Sequence, residues 1–416
     1  MTLPAYYDFC CRVKTISGEN AMEKIPGLLE GLGARRPMIV TDRGVESAGL
    51  IDTVREAIGD GLDIGALYAD IPVDSDYRVV DDAAAVYRNN ACDSIIAVGG
   101  GSVIDTAKGI NIVASLGGKS LLGYQGAATI RRKLNPLAVL PTTSGTGSEM
   151  TLVAVVADPD RQEKMLFVSY FLLPDLAILD PRLTLTLPDF LTSQTAMDAM
   201  AHACESYYCM EKNPVSDAFA LRAISLISDN LLSAVRNPAD ANARLALANA
   251  SAMAGAAFSN SMVGIVHNIG HVIGAVCHVP HGTCMSILLP YGMEYNIHRR
   301  AKAIGEILLP LAGPAVYAKT PEKARPEKAV EQIRKLNEDL HNISGGKHPR
   351  WLGEIQDREG AEAVPRSVLP EIARKTLADG ARLSNPEEVL PDDALMVLEH
   401  AWEGTPLDRS RIRKGA

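Results

Sequence analysis

The chain has 416 residues, of which 47% are hydrophobic and 22% are charged. It is long enough for two domains with their own cores, and its composition is typical of a globular protein. The net charge of −9 argues against nucleic acids and anionic membranes as main partners. Seven cysteines without a CxxC motif predict reduced thiols and a cytoplasmic location. The N-terminus has no signal-peptide pattern, and we expect no apolar run close to the ~20 residues of a spanning helix.

Residues 1–184 alternate short β-type runs with amphipathic helical patterns. This alternation predicts an α/β domain in which a mostly parallel sheet is covered by helices on both faces. The predicted strands are Phe9–Ile16, Pro37–Asp42, Leu62–Tyr68, Ser94–Val98, Pro136–Pro141 and Asp175–Asp180.

Three features follow the carboxyl ends of these strands, the edge at which open α/β sheets bind ligands. Asp42 closes the second strand, the glycine-rich run GGGS (99–102) follows the fourth, and PTTSGTGSE (141–149) follows the fifth. Glycines allow a diphosphate to approach the backbone, and a helix N-terminus offers free N–H groups. Each feature alone is weak, and Asp42 precedes the glycine run instead of following it as in a standard Rossmann unit. Together they favour a dinucleotide site.

From residue 185 onward the β-type runs stop and only helical patterns remain. The predicted helices are 188–209, 215–236, 240–259, 263–277, 284–296, 301–311, 326–342, 366–379 and 392–403. Residues 185–416 are therefore predicted to form an all-helical domain, with the boundary between Pro181 and Pro188. The polar segment 344–365 is predicted to be an irregular surface excursion.

Four of the nine histidines lie within GIVHNIGHVIGAVCHVPHG, residues 264–282. His267 and His271 are four residues apart, a spacing that places them on one helix face. His281 stands between a proline and a glycine, which indicates a turn back toward that helix. Upstream, Asp198 and His202 repeat the four-residue spacing. One carboxylate and several imidazoles in a helical interior are typical of a site for a divalent transition metal.

These motifs resemble the iron-containing (group III) alcohol dehydrogenase family, up to about Gly404. The matching pieces are GGGSVIDTAK (99–108), PTTSGTGSE (141–149), DAMAHACE (198–205) and GIVHNIGHVIGAVCHVPHG (264–282). The resemblance implies a dehydroquinate synthase-like plan, with an N-terminal NAD-binding domain (1–184) and a C-terminal helical metal-binding domain (185–416). It also implies an NAD(H)-dependent enzyme with Fe(II), Zn(II) or another divalent metal that interconverts small primary alcohols and aldehydes, and at least a homodimer.

The resemblance also assigns roles to individual residues. It implies that the metal ligands are Asp198, His202, His267 and His281, and that the proton relay is His271. It also implies a set of residues that contact the ribose, the diphosphate or the sugar side of NAD. This set comprises Asp42, Gly99, Gly100, Gly101, Ser102, Thr142, Thr143, Thr146 and Lys164. A carboxylate pairs with a ribose 2′-hydroxyl and repels a 2′-phosphate, so Asp42 predicts NAD(H) over NADP(H).

Three alternatives to this interpretation remain. A polyol dehydrogenase or a dehydroquinate synthase-like enzyme shares the two-domain plan, but such relatives usually use fewer histidine ligands. Maleylacetate reductase-like relatives share the fold with a degraded ligand set. A non-catalytic metal-binding protein would leave His271 without a purpose. The full set of one aspartate and three histidines disfavours the first two, and the purposeless His271 and open metal position disfavour the third.

Overall fold

The computed structural model describes residues 4–161, 163–357 and 359–412. The chain forms two compact units. The sheet unit comprises Cys10–Leu187 and Ala239–Gly255, and the helical unit comprises the residues up to Phe9, Pro188–Pro238 and the residues from Ala256 onward. The assignment of cofactor binding to 1–184 and of metal binding to 185–416 stays a prediction.

The sheet unit is built on a six-stranded, fully parallel sheet. Its order is β1-β9-β6-β4-β2-β3, with strands β1 (Lys14–Ser17), β2 (Pro37–Val40), β3 (Ala66–Tyr68), β4 (Ser94–Gly99), β6 (Leu137–Pro141) and β9 (Leu176–Leu179). The helices of this unit are α1 (Ile25–Gly31), α2 (Arg43–Ser47), α3 (Leu50–Ile58), α4 (Tyr77–Asn89) and α5 (Gly101–Leu116). The central strands are apolar and buried along their whole length, as expected of a parallel sheet covered on both faces. The predicted parallel-sheet fold is confirmed, although the first strand begins at Lys14 and not at Phe9.

A second, three-stranded sheet was absent from the sequence prediction. It has the order β5-β8-β7, with β5 (Gly126–Ala127), β7 (Val153–Asp158) and β8 (Glu163–Val168), and β7 and β8 are antiparallel. On its outer face Val155 pairs with Leu166, and both side chains are exposed. Apolar residues on both faces hide the alternation of period two by which a half-buried strand is recognised.

The helical unit contains the remaining helices, and every strand among the described residues ends before residue 180. Its helices are α6 (Asp189–Tyr208), α7 (Pro214–Arg236), α9 (Ile265–Cys277), α10 (His281–Lys319), α11 (Arg325–Ile343), α12 (Leu369–Lys375) and α13 (Pro391–Glu403). Helix α8 (Ala241–Ser261) crosses the boundary between the units at Gly255. The predicted helices 284–296 and 301–311 are two parts of α10, which is interrupted by non-helical backbone at Arg300.

Helix α7 is the one helix in the described part of the chain whose length and composition would allow it to cross a membrane. Asp217, Arg222 and Asp229 interrupt it, so it is not an unbroken apolar run of the kind that the sequence analysis expected to be absent. Ile224, Ile227 and Leu231 are fully buried, and the helix contacts α6, α10 and α11. Buried helices of globular proteins have the same length and composition, so α7 is weak evidence for a membrane span.

The described part of the predicted excursion 344–365 is irregular, with one short 3₁₀ turn at Leu352–Glu354. It is nevertheless held to the helical unit by His348, which is fully buried. The imidazole lies between two hydroxyls, with Nδ1 3.0 Å from Ser193 Oγ and Nε2 2.8 Å from Ser286 Oγ. Burial lowers the pKa of His348 to about 4, so this histidine is neutral near pH 7.

Lowering the pH from 6.5 to 4 should reduce the free energy of unfolding by about 3 kcal/mol through His348 alone. The unfolded chain binds a proton at this histidine near pH 6.5, whereas the folded chain binds it only near pH 4. The stabilisation is therefore complete above pH 6.5 and is lost as the pH falls toward 4. Urea unfolding of the wild type and of His348→Gln between pH 4 and 7 measures this loss. Equal pH slopes for the two proteins would contradict it.

Candidate functional site

Helix α6 carries Asp198 and His202 one turn apart, and both side chains are buried. Alanines at 196, 199, 201 and 203 give this helix small buried faces that allow neighbouring elements to approach closely. A carboxylate in such an interior is unfavourable unless it is paired with positive charge or a metal. The partners of Asp198 come from α9, which carries His267, and from the first residue of α10, His281.

Three imidazole nitrogens, one each from His202, His267 and His281, surround one oxygen of the Asp198 carboxylate. Asp198 Oδ1 lies 3.3 Å from His281 Nε2 and 3.7 Å from His267 Nε2, and these three side chains form a group with ligand atoms all within 4.8 Å of one another. His202 Nδ1 lies 3.7 Å from the same oxygen but is outside that group. The His202 ring stacks on Phe258 and on His267, with ring centroids 4.1 and 4.4 Å away.

Asp198 Oδ1, His202 Nδ1 and His267 Nε2 are buried without a hydrogen-bond partner in the part of the chain that the structure describes. Buried polar atoms normally have partners, so three orphaned atoms side by side require an explanation. Metal–ligand bonds of about 2.1 Å with tetrahedral angles place two donor atoms about 3.4 Å apart. The separations from Asp198 Oδ1 are close to this value. The residues therefore fit a divalent metal with mixed nitrogen and oxygen ligands.

The charges of the site also favour a cation. Burial raises the pKa of Asp198, but the imidazoles of His202, His281 and His267 outweigh it and hold that pKa well below its usual range. Burial lowers the pKa of His202 to about 3, so this imidazole is neutral and free to donate a lone pair. Burial also lowers the pKa of His267, yet the nearby carboxylates of Glu205 and Asp198 raise it to about 9.

The predicted cofactor residues lie in the sheet unit, most of them at one edge of its parallel sheet. β2, β4 and β6 are neighbours, and their registers place Val40 beside Ala97 and Gly99 beside Pro141. Because parallel strands end at the same edge, the residues that follow them come together there. These are Asp42 after β2, Gly100, Gly101 and Ser102 after Gly99 at the end of β4, and Thr142, Thr143 and Thr146 after β6.

The glycine run packs directly against the threonine loop. A Cβ atom on Gly101 would lie 2.7 Å from Thr146 Cγ2, and one on Gly100 would lie 3.3 Å from Thr143 Oγ1. A Cβ on Gly99 would lie 2.5 Å from Val103 Cβ, so any other residue at that position would force Val103 to shift. Helix α5 begins directly after Gly100, and no side chain of the described residues caps it. Its first N–H groups therefore remain available to an anion.

Asp42 and Lys164 occupy different positions in the sheet unit. Asp42 Oδ1 accepts a hydrogen bond of 2.9 Å from Val45 N and caps α2. Lys164 lies on β8 of the smaller sheet, where its Nζ is 2.9 Å from Asp74 Oδ1. Both side chains of this ion pair are exposed, so a bound anionic group could replace Asp74 as the partner of Lys164 at little energetic cost.

The sequence family described as iron-containing alcohol dehydrogenase matches residues 13–181, and the C-terminal part of the Fe-containing alcohol dehydrogenase family matches residues 192–402. The chain belongs to the iron-containing alcohol dehydrogenase family. The resemblance inferred from the four motifs is thereby confirmed. The family's enzymes are oxidoreductases that use NAD(H) and a divalent metal.

Several family members are similar over nearly their whole length. The NAD-dependent methanol dehydrogenase of Bacillus methanolicus is 33% identical over 93% of this chain and 97% of its own. The 1,3-propanediol dehydrogenase of Klebsiella pneumoniae is 34% identical over 95% of this chain and 99% of its own. A crystal structure of a 1,3-propanediol oxidoreductase superposes with a TM-score of 0.88 at 31% identity, covering 95% of this chain and 100% of that one.

Two carboxylates beside the histidines of this iron-containing dehydrogenase were missed by the sequence analysis. Glu205 is fully buried and bonds to His267 Nδ1. Asp379 Oδ2 lies 2.9 Å from His271 Nδ1, and its other oxygen accepts a hydrogen bond from Ala381 N. Glu205 stands inside the DAMAHACE motif and could have been singled out there. Asp379 is 108 residues from its histidine, and no spacing rule connects the two.

Proposed function

We propose that this protein is an NAD(H)-dependent alcohol dehydrogenase or aldehyde reductase with a divalent metal, Fe(II) or Zn(II), in its helical unit. The observation that carries the proposal is the convergence of buried, unpartnered donor atoms around Asp198. The proposed ligands are Asp198, His202, His267 and His281. Family membership supports the class of reaction, and the donor set supports the metal.

The metal would act as a Lewis acid toward the oxygen of the alcohol or aldehyde, and NAD(H) would carry the hydride. The chain's own residues would supply negative charge to the metal and transfer a proton. Asp198 supplies the single negative charge among the four proposed ligands. His271 has its Nδ1 against Asp379 and its side chain 43% exposed, and we propose that its Nε2 exchanges a proton with solvent. A histidine suits this proposed relay because its ordinary pKa lies near neutral pH, and desolvation lowers the pKa of His271 from that value, which favours the neutral ring that can accept a proton.

The substrate class is a small primary alcohol or its aldehyde. The relatives' names include methanol and 1,3-propanediol dehydrogenases, so we propose short alcohols and keep a glycerol-like polyol as the second candidate. The test is NADH oxidation with a panel of short aldehydes and dihydroxyacetone by protein purified anaerobically, stripped of metal and reloaded with Fe(II) or Zn(II). Activity with dihydroxyacetone alone would favour the polyol. Equal activity of the stripped and reloaded proteins would contradict a metal-dependent dehydrogenase.

Replacing Asp42 should change the choice of cofactor. We propose that Asp42 contacts the adenosine ribose of NAD(H) and repels the 2′-phosphate of NADP(H). Asp42→Gly should raise the ratio of kcat/KM with NADPH to that with NADH, because the repelling charge is gone. Asp42→Asn is the matched control: its amide oxygen still caps α2 at Val45 N, so it removes the charge and keeps the cap. An unchanged ratio in both variants would refute the assignment.

The proposed assembly is at least a homodimer located in the cytoplasm. β1 is the first strand in the order of the six-stranded sheet and pairs with β9 on one side. The opposite edge of such a strand offers backbone groups that a second copy can pair with. A monomer by light scattering at micromolar concentration would contradict this proposal.

A further inference from the structure

One buried carboxylate connects the start of α9 to the imidazole of His267. Glu205 lies on α6, seven residues after Asp198, and its side chain is 0% exposed. Its Oε1 accepts hydrogen bonds from Gly264 N (3.0 Å) and from Val266 N (2.9 Å). Its Oε2 accepts a hydrogen bond from His267 Nδ1. One side chain thus accepts hydrogen bonds from Gly264, Val266 and His267.

The first turn of α9 depends on this arrangement. Its N-cap residue is Gly264, which has no side chain to bond the free N–H groups of the helix. Glu205 and Asn385 replace the missing cap, since Asn385 Oδ1 accepts a hydrogen bond of 3.1 Å from Ile265 N. A Cβ on Gly264 would lie 2.6 Å from Asn385 Oδ1 and 3.2 Å from Glu205 Oε1. A residue with a side chain would push both acceptors away from the helix.

The bond to Glu205 also selects which nitrogen of His267 is available. An ionised carboxylate accepts hydrogen bonds and cannot donate them, so Nδ1 carries the proton. In the neutral ring, the form that can bind a metal, the lone pair is then on Nε2. This is the nitrogen that lies 3.7 Å from Asp198 Oδ1 and has no hydrogen-bond partner among the described residues.

We propose that Glu205 is a positioning residue of the metal centre, which fixes the orientation and tautomer of His267 before the metal binds. The inference rests on the proposed function, because it assumes that His267 is a metal ligand. Carboxylates that accept the second N–H of a ligating histidine hold its ring in place and raise its basicity, and their loss typically costs 10–100-fold in metal affinity. Glu205 has this geometry, because its Oε2 accepts a hydrogen bond from His267 Nδ1. Its Oε1 accepts a hydrogen bond from Val266 N in the first turn of the same helix.

Glu205→Gln separates the two roles of the side chain. Its amide oxygen can still accept from Gly264 N and Val266 N, so the helix cap is kept. The NH₂ group of the glutamine then donates to His267 Nδ1, so the ring proton moves to Nε2. A protonated Nε2 cannot bind a metal. We expect the Zn(II) affinity of the full-length apoprotein, measured by competition with a chromogenic chelator, to fall 10–100-fold. The melting temperature of the apoprotein should change by no more than a few degrees.

Repeating the Glu205→Gln substitution in a His267→Gln variant distinguishes a positioning role of Glu205 from a general structural role. In His267→Gln the positioned ligand is absent and three proposed ligands remain, so Zn(II) is added at concentrations high enough to measure the residual affinity, which Glu205→Gln should not weaken further. An equal additional loss in that background would show that Glu205 acts only on the fold and would overturn the inference. If Glu205→Gln does not fold, Glu205→Asp replaces it, because the shorter side chain keeps the charge but cannot reach all three donors.

The wild type tests the proposed function separately. Zn(II) bound by the wild type and lost in Asp198→Ala supports the metal centre itself. A wild type that binds no Zn(II) would overturn the metal centre and this inference together. A wild type and a Glu205→Gln variant with Zn(II) affinities within twofold of each other would overturn this inference alone.

Discussion

His267→Ala should lose its bound metal and nearly all activity. The substitution removes one of the three side chains whose donor atoms lie within 4.8 Å of one another, and it leaves the buried carboxylate of Glu205 without its imidazole partner. An uncompensated buried charge and a missing ligand both disfavour the assembled site. Metal content per chain by mass spectrometry, together with kcat on a short aldehyde, measures both effects.

His278→Asn is the matched control for this variant. His278 is an exposed residue at the C-terminal end of the same helix, in a left-handed conformation with φ of 55°. Asparagine tolerates this conformation, so the substitution removes an imidazole from α9 with little strain. It should retain metal and activity. Full metal content in His267→Ala would show that this histidine is not a ligand.

His271→Ala should keep its metal and turn over slowly. General acid–base catalysis by a positioned side chain is typically worth ~10²–10⁴-fold, so kcat should fall by a factor in that range, with a changed pH profile. Although His271 and His267 share a helix face, their surroundings differ. The His271 ring is 43% exposed, its Nδ1 bonds to Asp379, and it is not a member of the three-residue donor group found among the described residues.

Adding Asp379→Asn to the His271→Ala variant should lower kcat no further, because Asp379 is proposed to act through that imidazole. The metal content of His271→Ala decides the assignment. A metal-free protein would show that His271 is a ligand, and the roles proposed within the histidine cluster would then be wrong.

Much of the fold followed from local pattern. The parallel sheet was visible because its central strands are uninterrupted apolar runs, buried on both faces. The hairpin of β7 and β8 was not visible, since exposed Val155 and Leu166 remove the polar side of the alternation. The two predicted helices within α10 were separated at nearly the right place, because the residues near Arg300 are polar and the backbone there leaves the helical region.

For the candidate site, the sequence by itself determined which residues share one element. A spacing of four places Asp198 beside His202 and His267 beside His271, because a helix repeats every 3.6 residues. The family motifs then assigned roles that spacing alone does not provide. The strand ends likewise predicted that Asp42, Gly100 and Thr142 lie at one edge of the sheet, and the structure shows that the strands before them are neighbours.

Only the tertiary structure decided which atoms of different elements meet. It places the ring of His202 against Phe258, outside the three-residue donor group, and it pairs Glu205 with His267 and Asp379 with His271 across 62 and 108 residues. The chain contains 50 acidic residues, and nothing in the local pattern distinguishes Asp379 from the rest. Glu205 stands inside the DAMAHACE motif, but the motif does not show that its partner is His267. Spacing along a chain fixes neighbours within a helix or strand, whereas contacts between elements depend on how their buried faces pack.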